Sequence, residues 1–349
     1  MQQYKIPGII DIEFALWQSG WIIQDSDKMN LAKGRGVAVK EFGLFKRTAG
    51  YILFADKKPV GIIKVKSIDQ MPGTTLQERL HENDVEKLNL DGCNPLFFVY
   101  ESNGLITHFI DYRDSPPSMR PVSGIHSPET VADWKIQSTS LRSRLLKMPT
   151  LKMGNLSDWQ EIAILNIESA FKHNINKVFL QIGPERKKIA TLIDFIYRLL
   201  KHANAKRILF AADSNIVLDQ IERCFNNAII TNEHTKFTDL FGVTSLKTGV
   251  LPDIKGVYIG NIEVLTRYNE NTGSNHVPFD FFDCIVVDEC HRSCKSQIER
   301  IMIHFDALQI LVNINQGSIN DSFDDYKFVF AQKIGKPSID CIMPPLGLS

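Results

Sequence analysis

The sequence has no excess of either charge. Its 349 residues hold 40 Lys plus Arg against 40 Asp plus Glu. Bulk charge therefore does not announce a nucleic-acid binder, and any basic surface must be local. No run approaches the ~18 apolar residues that a membrane span needs. The opening "MQQYKIPGIIDIEFALWQSG" carries acids and has no long apolar core, so it is not expected to be a signal peptide. Cysteine is scarce: six residues, at 93, 224, 284, 290, 294 and 341, show no framework of the small secreted kind. A reducing, cytoplasmic setting is expected. Internal repeats and low-complexity tracts are absent as well.

What is present is ordinary for a globular protein. Apolar residues make up 44% and charged residues 23%, and the length suffices for two domains, each with its own core. Cys284, Cys290, His291 and Cys294 are spaced C-x5-C-H-x2-C. Structural zinc sites usually present tight CxxC-like knuckles in loops, whereas Cys284 falls inside a strand-like apolar run. One buried thiol and two incidental ones are expected, and no metal ligands are assigned to the pattern.

Residues 9–19 have helical apolar spacing closed by Gly20, and "WIIQ" looks like a short strand. "YILFADKKPVGIIKVKS" and "PLFFVYESNGLITHFI" each place two apolar runs around a turn, the signature of a hairpin. Between them "TTLQERLHENDVEKLNL" has helix-forming composition. Residues 1–112 thus predict a small mixed α/β domain. The stretch 113–150, opening "RDSPPSMRPVSGIHSPET", has connector chemistry, followed by a helix to about Leu146. From 151 onward, buried strands ("KVFLQIG", "RILFAAD", "GVYIGN", "CIVVDE") alternate with helices, which predicts a parallel, doubly wound sheet.

Two motifs bear on chemistry. A strand turning into a helix aims free N–H groups and a positive dipole end at an anion, and a phosphate loop adds glycines, a lysine and a magnesium-binding hydroxyl. Here Lys188 is present, but Pro184, Glu185, Arg186 and Lys187 fill the loop and Ile189 takes the hydroxyl position. The bland reading is a basic helix start. Against it stands "VVDECHRS", an apolar strand that delivers Asp288 and Glu289 at its carboxyl end, where ligands bind in such sheets. Asp288 would hold magnesium through water and Glu289 would polarise the attacking water. Between Glu185 and Arg207 seven Lys/Arg (186, 187, 188, 198, 201, 206, 207) also cluster against two acids. They read first as a solvated face, second as a phosphate contact.

The order and spacing of "SGWIIQDSDKMNLAKGRGVAVKEFGLFKRTAGYILFADKKPVGIIKVKS", "PLFFVYESNG", "HSPETVADW", "DWQEIAILNIESAF", "FIYRLLKHANAKRILFAAD" and "FDCIVVDECHRS" resemble the motor (R) subunits of type I restriction enzymes. The resemblance implies a restriction-endonuclease-like domain of the PD-(D/E)xK type over 1–112, a connector over 113–150, and the first RecA-like helicase domain over 151–349. A second RecA-like domain is expected to be missing. It also implies magnesium and ATP as cofactors, with DNA and the methylation and specificity subunits of a type I complex as partners. By the same resemblance Glu41, Lys66 and Gln77 correspond to nuclease residues, while Gly50 and Lys64 stand where the family has its metal-binding acids. Gln160 corresponds to the adenine reader, Lys188 to the phosphate lysine, and Asp288, Glu289 and His291 to the second ATP motif. Asn313, Ile314 and Asn315 replace a Thr-Ala-Thr motif, and Asn261 and Glu263 replace residues of a "TIQ" stretch. The departures fall on working residues, so nuclease and ATPase activity are expected to be weak or absent and residual DNA binding retained. An active ATP-dependent motor with atypical ligands is the alternative, and a decayed remnant without partners the third reading.

Overall fold

A computed structural model describes residues 9–45, 48–70, 72, 96–151, 156–182, 185–230, 234–246, 251–265, 277–288, 295–313 and 327–330. The chain divides into two compact units. Unit 1 comprises 1–143 with 278–280 and 303–306, and unit 2 comprises 144–277, 281–302 and 307–349.

Unit 1 opens with α1 (Ile9–Gln18), whose Ile12 and Leu16 face the core and whose end is marked by Gly20 at φ 88. Seven strands follow: β1 (Ile22–Asp25), β2 (Gly36–Phe45), β3 (Thr48–Ala55), β4 (Lys58–Val65), β5 (Phe98–Ser102), β6 (Thr107–Asp111) and β7 (Met119–Val122). They form one mixed sheet in chain order, parallel at β1/β2 and β4/β5 and antiparallel elsewhere. The β3–β4 hairpin turns on Asp56 and Lys57, both left-handed (φ 48 and 63), the twist that a two-residue hairpin loop requires. The β5–β6 hairpin turns at Gly104, φ 90. Trp21, Leu53, Ile63, Phe98, Tyr100 and Phe109 fill the core on one face. The helix expected over "TTLQERLHENDVEKLNL" lies outside the described residues.

The segment 113–150, expected as connector, carries regular structure. It holds β7, α2 (Pro128–Ile136) and α3 (Leu141–Leu146), and Val131 and Ala132 of α2 join the unit 1 core. Its prolines occupy positions that tolerate them: Pro121 lies in β7, an edge strand, and Pro128 opens α2 behind the Ser127 cap. The helix expected to end at about Leu146 is α3, whereas the proline-rich opening of the segment gives no sign of β7 or α2.

Unit 2 alternates as expected. In chain order come α4 (Asp158–Lys172), β8 (Lys177–Gln181), α5 (Glu185–His202), β9 (Arg207–Ala212), α6 (Asn215–Asn227), the small pair β10 (Ile229–Ile230) and β11 (Thr235–Lys236), and α7 (Phe237–Leu240). Then follow β12 (Gly242–Ser245), β13 (Gly256–Asn261), β14 (Cys284–Val287), α8 (Lys295–His304), β15 (Leu308–Asn313) and β16 (Lys327–Phe330). The main sheet runs β12-β13-β9-β14-β15-β8-β16, with every neighbouring pair parallel. β8, β9, β13, β14 and β15 are largely buried apolar runs, as expected where helices cover both faces of such a sheet. The path leaves β8 toward β9 and leaves β15 toward β16 on the other side. The carboxyl ends of β8 and β15 therefore flank a topological switch point, where open α/β sheets bind their ligands.

Candidate functional site

The carboxyl edge of the unit 2 sheet brings two of the expected residues together. Lys188 lies in the first turn of α5, just after β8, and Asp288 follows β14. α5 is held there by its apolar stripe, with Leu192, Ile196, Leu199 and Leu200 fully buried. Lys188 Nζ donates to Asp288 Oδ1 at 2.7 Å, and the two side chains are 3% and 1% exposed. The lysine expected to grip phosphate thus grips the carboxylate expected to hold magnesium. Ile189, next along α5, is buried and presents no oxygen to a metal.

Gln160 is also engaged internally. It stands in the first turn of α4, where its Oε1 accepts from the Ser157 amide at 3.1 Å and the Ser157 hydroxyl at 2.8 Å. Its Nε2 donates to Thr191 Oγ1 at 3.1 Å, which ties α4 to α5. Asn261 bridges to the Asp213 carbonyl at 2.7 Å and accepts from the Glu263 amide at 2.8 Å, so it organises the loop ends of β9 and β13. Glu289, His291, Cys290 and Cys294 lie outside the described residues, as do Ile314, Asn315 and the side chains of Glu185, Lys187 and Asn313. Cys284 is buried in β14, and burial pushes its thiol far above the ordinary range.

The basic segment 185–207 does not form one face. Lys188 is committed to Asp288. Arg198 is buried against Glu168, with bonds of 2.6 and 3.1 Å, and donates to the Pro149 carbonyl at 2.7 Å. Lys201, Lys206 and Arg207 lie at the opposite end of the sheet, where β9 begins.

In unit 1 the register aligns the expected nuclease positions in one row. Glu41 pairs with Gly50, Gly50 with Lys64, and Lys64 with Glu101, across β2 to β5. Lys64 Nζ stands 4.0 Å from Glu101 Oε1, with both side chains nearly buried. Lys66 follows β4, its amide bonded to the Ser102 carbonyl at 2.8 Å. Gln77 and His81 lie outside the described residues, as does the side chain of Glu41. Sequence reading missed Glu101. Its signal was faint, a carboxylate inside the apolar run "FFVYES", and only the strand register shows that it answers Lys64. Next in the row, His108 is pulled below its ordinary pKa by burial, with Glu101 opposing.

A second buried network in unit 1 went unread. His126, fully buried, has Nδ1 2.7 Å from the Tyr100 hydroxyl and Nε2 2.9 Å from Asp306 Oδ2. Arg120 clamps the same carboxylate with bonds of 2.7 and 2.8 Å. Burial would raise the Asp306 pKa, but Arg120 and the His126 bond hold it well below the usual carboxylate range. With no exposure at His126, this chain of bonds is a packing device. Among the described residues, no group of three or more His, Cys, Asp or Glu side chains could hold a metal ion, and no helix is long and apolar enough to cross a membrane.

Residues 153–312 match the family model described as type III restriction enzyme, res subunit. The endonuclease subunit of the type I restriction enzyme EcoKI from Escherichia coli K12 is 24% identical over 220 residues, 57% of this chain and 18% of that protein. The endonuclease subunit of EcoAI, also from Escherichia coli, is 29% identical over 187 residues, 51% of this chain and 22% of that protein. The chain is similar to the R (endonuclease) subunits of type I restriction enzymes over about half of its length. This R-subunit-like chain spans about a fifth of the length of the curated relatives it matches. Among solved structures, a fragment described as an HsdR subunit of a type I restriction enzyme from Vibrio vulnificus YJ016 aligns over 82% of this chain and 50% of its own, with TM-score 0.37 and 18% identity.

Proposed function

We propose that this R-subunit-like chain works in DNA restriction as a binding module, engaging DNA or the other subunits of a type I complex, and that neither of its two inherited centres turns over. Unit 1 is read as the restriction-endonuclease-like domain and unit 2 as the first RecA-like domain of a helicase-type motor. The single observation that carries the reading is the Lys188–Asp288 bond at 2.7 Å, made by two buried side chains.

Magnesium-ATP does not fit the residues present. A triphosphate needs the lysine and its metal needs the aspartate, so binding would have to break a buried ion pair. Ile189 offers the metal no ligand in exchange, and the Gln160 amide would have to leave Thr191 and Ser157 to read a base. The nuclease metal fares no better. A divalent ion calls for paired oxygen ligands, yet Gly50 supplies no side-chain oxygen and Lys64 brings a cation to the same row. The Glu101 carboxylate beside it is balanced by that cation at 4.0 Å. Assignment of a cytoplasmic setting and of methylation and specificity subunits as partners rests on the same reading.

A thermal-shift titration with magnesium-ATP tests it. A ligand that binds the native state raises the melting temperature by mass action, by about 2.7 kcal/mol of stability at a hundredfold excess over Kd. No shift is expected at millimolar nucleotide, together with measurable, salt-sensitive DNA affinity. A clear shift that Lys188→Ala abolishes would replace this reading with that of a working motor.

A further inference from the structure

Three neighbouring strands of the unit 2 sheet begin beside charged residues. Gly256 pairs with Arg207 and Cys284 with Ile208, so Lys255, Lys206 and Asp283, which immediately precede β13, β9 and β14, lie along one amino-terminal edge. This edge is a full strand length from the Lys188–Asp288 pair. Lys201, in the last turn of α5, reaches the same edge through the short turn into β9.

Two bonds fix the arrangement. Arg144 Nε donates to the Ala203 carbonyl at 2.6 Å, and Lys255 Nζ donates to Asn204 Oδ1 at 2.8 Å. Cations from three separate segments thus gather around the turn at 203–204. The acids nearby are occupied: Asp283 Oδ2 accepts the Lys206 and Arg207 amides at 2.6 and 3.0 Å, and Asp253 pairs with Arg207 at 2.9 Å. Burial, with Arg144, Lys201 and Lys206 nearby, keeps the Lys255 ammonium below its ordinary range, and Asp283 opposes this only in part. Favourable contact with the carboxyl end of α5 accounts for Lys201. It does not account for Arg144 and Lys255, which arrive from elsewhere in the chain. Lys201 and Lys255 are exposed, Arg144 and Lys206 half-buried.

We propose that Arg144, Lys201, Lys206 and Lys255 form a docking surface for the phosphodiester backbone of DNA, separate from the Lys188–Asp288 pair at the other end of the strands. The chemistry suits contact with a phosphate backbone: several cations from separate segments, and repulsion among them that a row of phosphates relieves. Surface ion pairs made by these side chains are no obstacle, since exposed pairs are weak and exchange readily for phosphate. The inference rests on the DNA-binding reading above and says where that binding takes place.

The test is fluorescence anisotropy of the full chain with labelled duplex DNA, single-stranded DNA and RNA, each across a salt series. Lys201→Gln with Lys255→Gln is compared with Lys58→Gln plus Lys236→Gln, an equal charge change at exposed sites elsewhere. Each lost phosphate contact lowers the salt slope by about 0.9. On duplex DNA the Lys201/Lys255 variant should therefore lose close to two in slope and about tenfold or more in low-salt affinity, with an unchanged melting temperature; binding only to single strands or RNA overturns the proposal. Unaltered slope and affinity, or an equal loss in the control variant, overturns the proposal while leaving DNA binding in place. No binding of any nucleic acid by the unsubstituted chain removes both.

Discussion

Lys188 and Lys64 are buried lysines, each facing a carboxylate delivered by another strand, and they differ in how that carboxylate meets them. Lys188 donates a direct bond to Asp288 at 2.7 Å. Lys64 stands 4.0 Å from Glu101, close enough for attraction and too far for a hydrogen bond. On the reading proposed above, Lys188 and Asp288 are both residues that the family uses and here they bond to each other, whereas Lys64 stands in the place of an acid. A retained pair can fit tightly because strand and helix already aim the two groups at one point. A replaced residue must find an existing neighbour, and Glu101, one strand over in register, is the neighbour it finds.

The largest effect expected from breaking this comparison is at Lys188. Lys188→Ala takes the cation away from a carboxylate that is 1% exposed, and losing one partner of a buried pair costs about 3–5 kcal/mol. Urea-dependent hydrogen exchange of the β8 and β14 amides should read that loss, and Lys188→Met with Asp288→Leu should recover most of it. An unchanged exchange profile in Lys188→Ala would mean that the pair does not hold the edge closed. Lys64→Met should cost less, about 1–3 kcal/mol in β4 and β5 exchange, because its Glu101 carboxylate stands at 4.0 Å and not at bonding distance. A cost equal to that at Lys188 would erase the distinction between the two centres. Smallest is Gln160→Ala, about 1 kcal/mol from the lost cap and the lost Thr191 bond. If the side chain is structural, that loss appears in the melting temperature with or without nucleotide.

Much of this architecture is legible locally. The apolar runs of β8, β9, β13 and β14 and the stripe of α5 are short-range patterns, and the Asp56–Lys57 turn lies between two such runs. The pairing of Lys188 with Asp288, 100 residues apart, was approachable only because both motifs were already suspected of sharing a ligand. Glu101 was hidden because its meaning comes from register: a slip of one residue would turn it to the other face of the sheet. His126 and Asp306 lie 180 residues apart and carry no shared motif, so nothing in the sequence joins them. The basic segment misled for a different reason. Neighbours along a helix and turn look like a single cluster, yet α5 spans the sheet from one edge to the other and distributes its cations between them.

The membership of unit 1 has a practical consequence. Phe279, which packs on His126, and Asp306, which answers Arg120 and His126, enter that unit from two short segments far downstream of its main body. A fragment ending at residue 143 would keep the imidazole and the guanidinium but leave their acid behind. Severing the polypeptide at one point therefore cannot liberate the amino-terminal half intact, and any dissection of this protein must carry the distant segments along or supply them in trans.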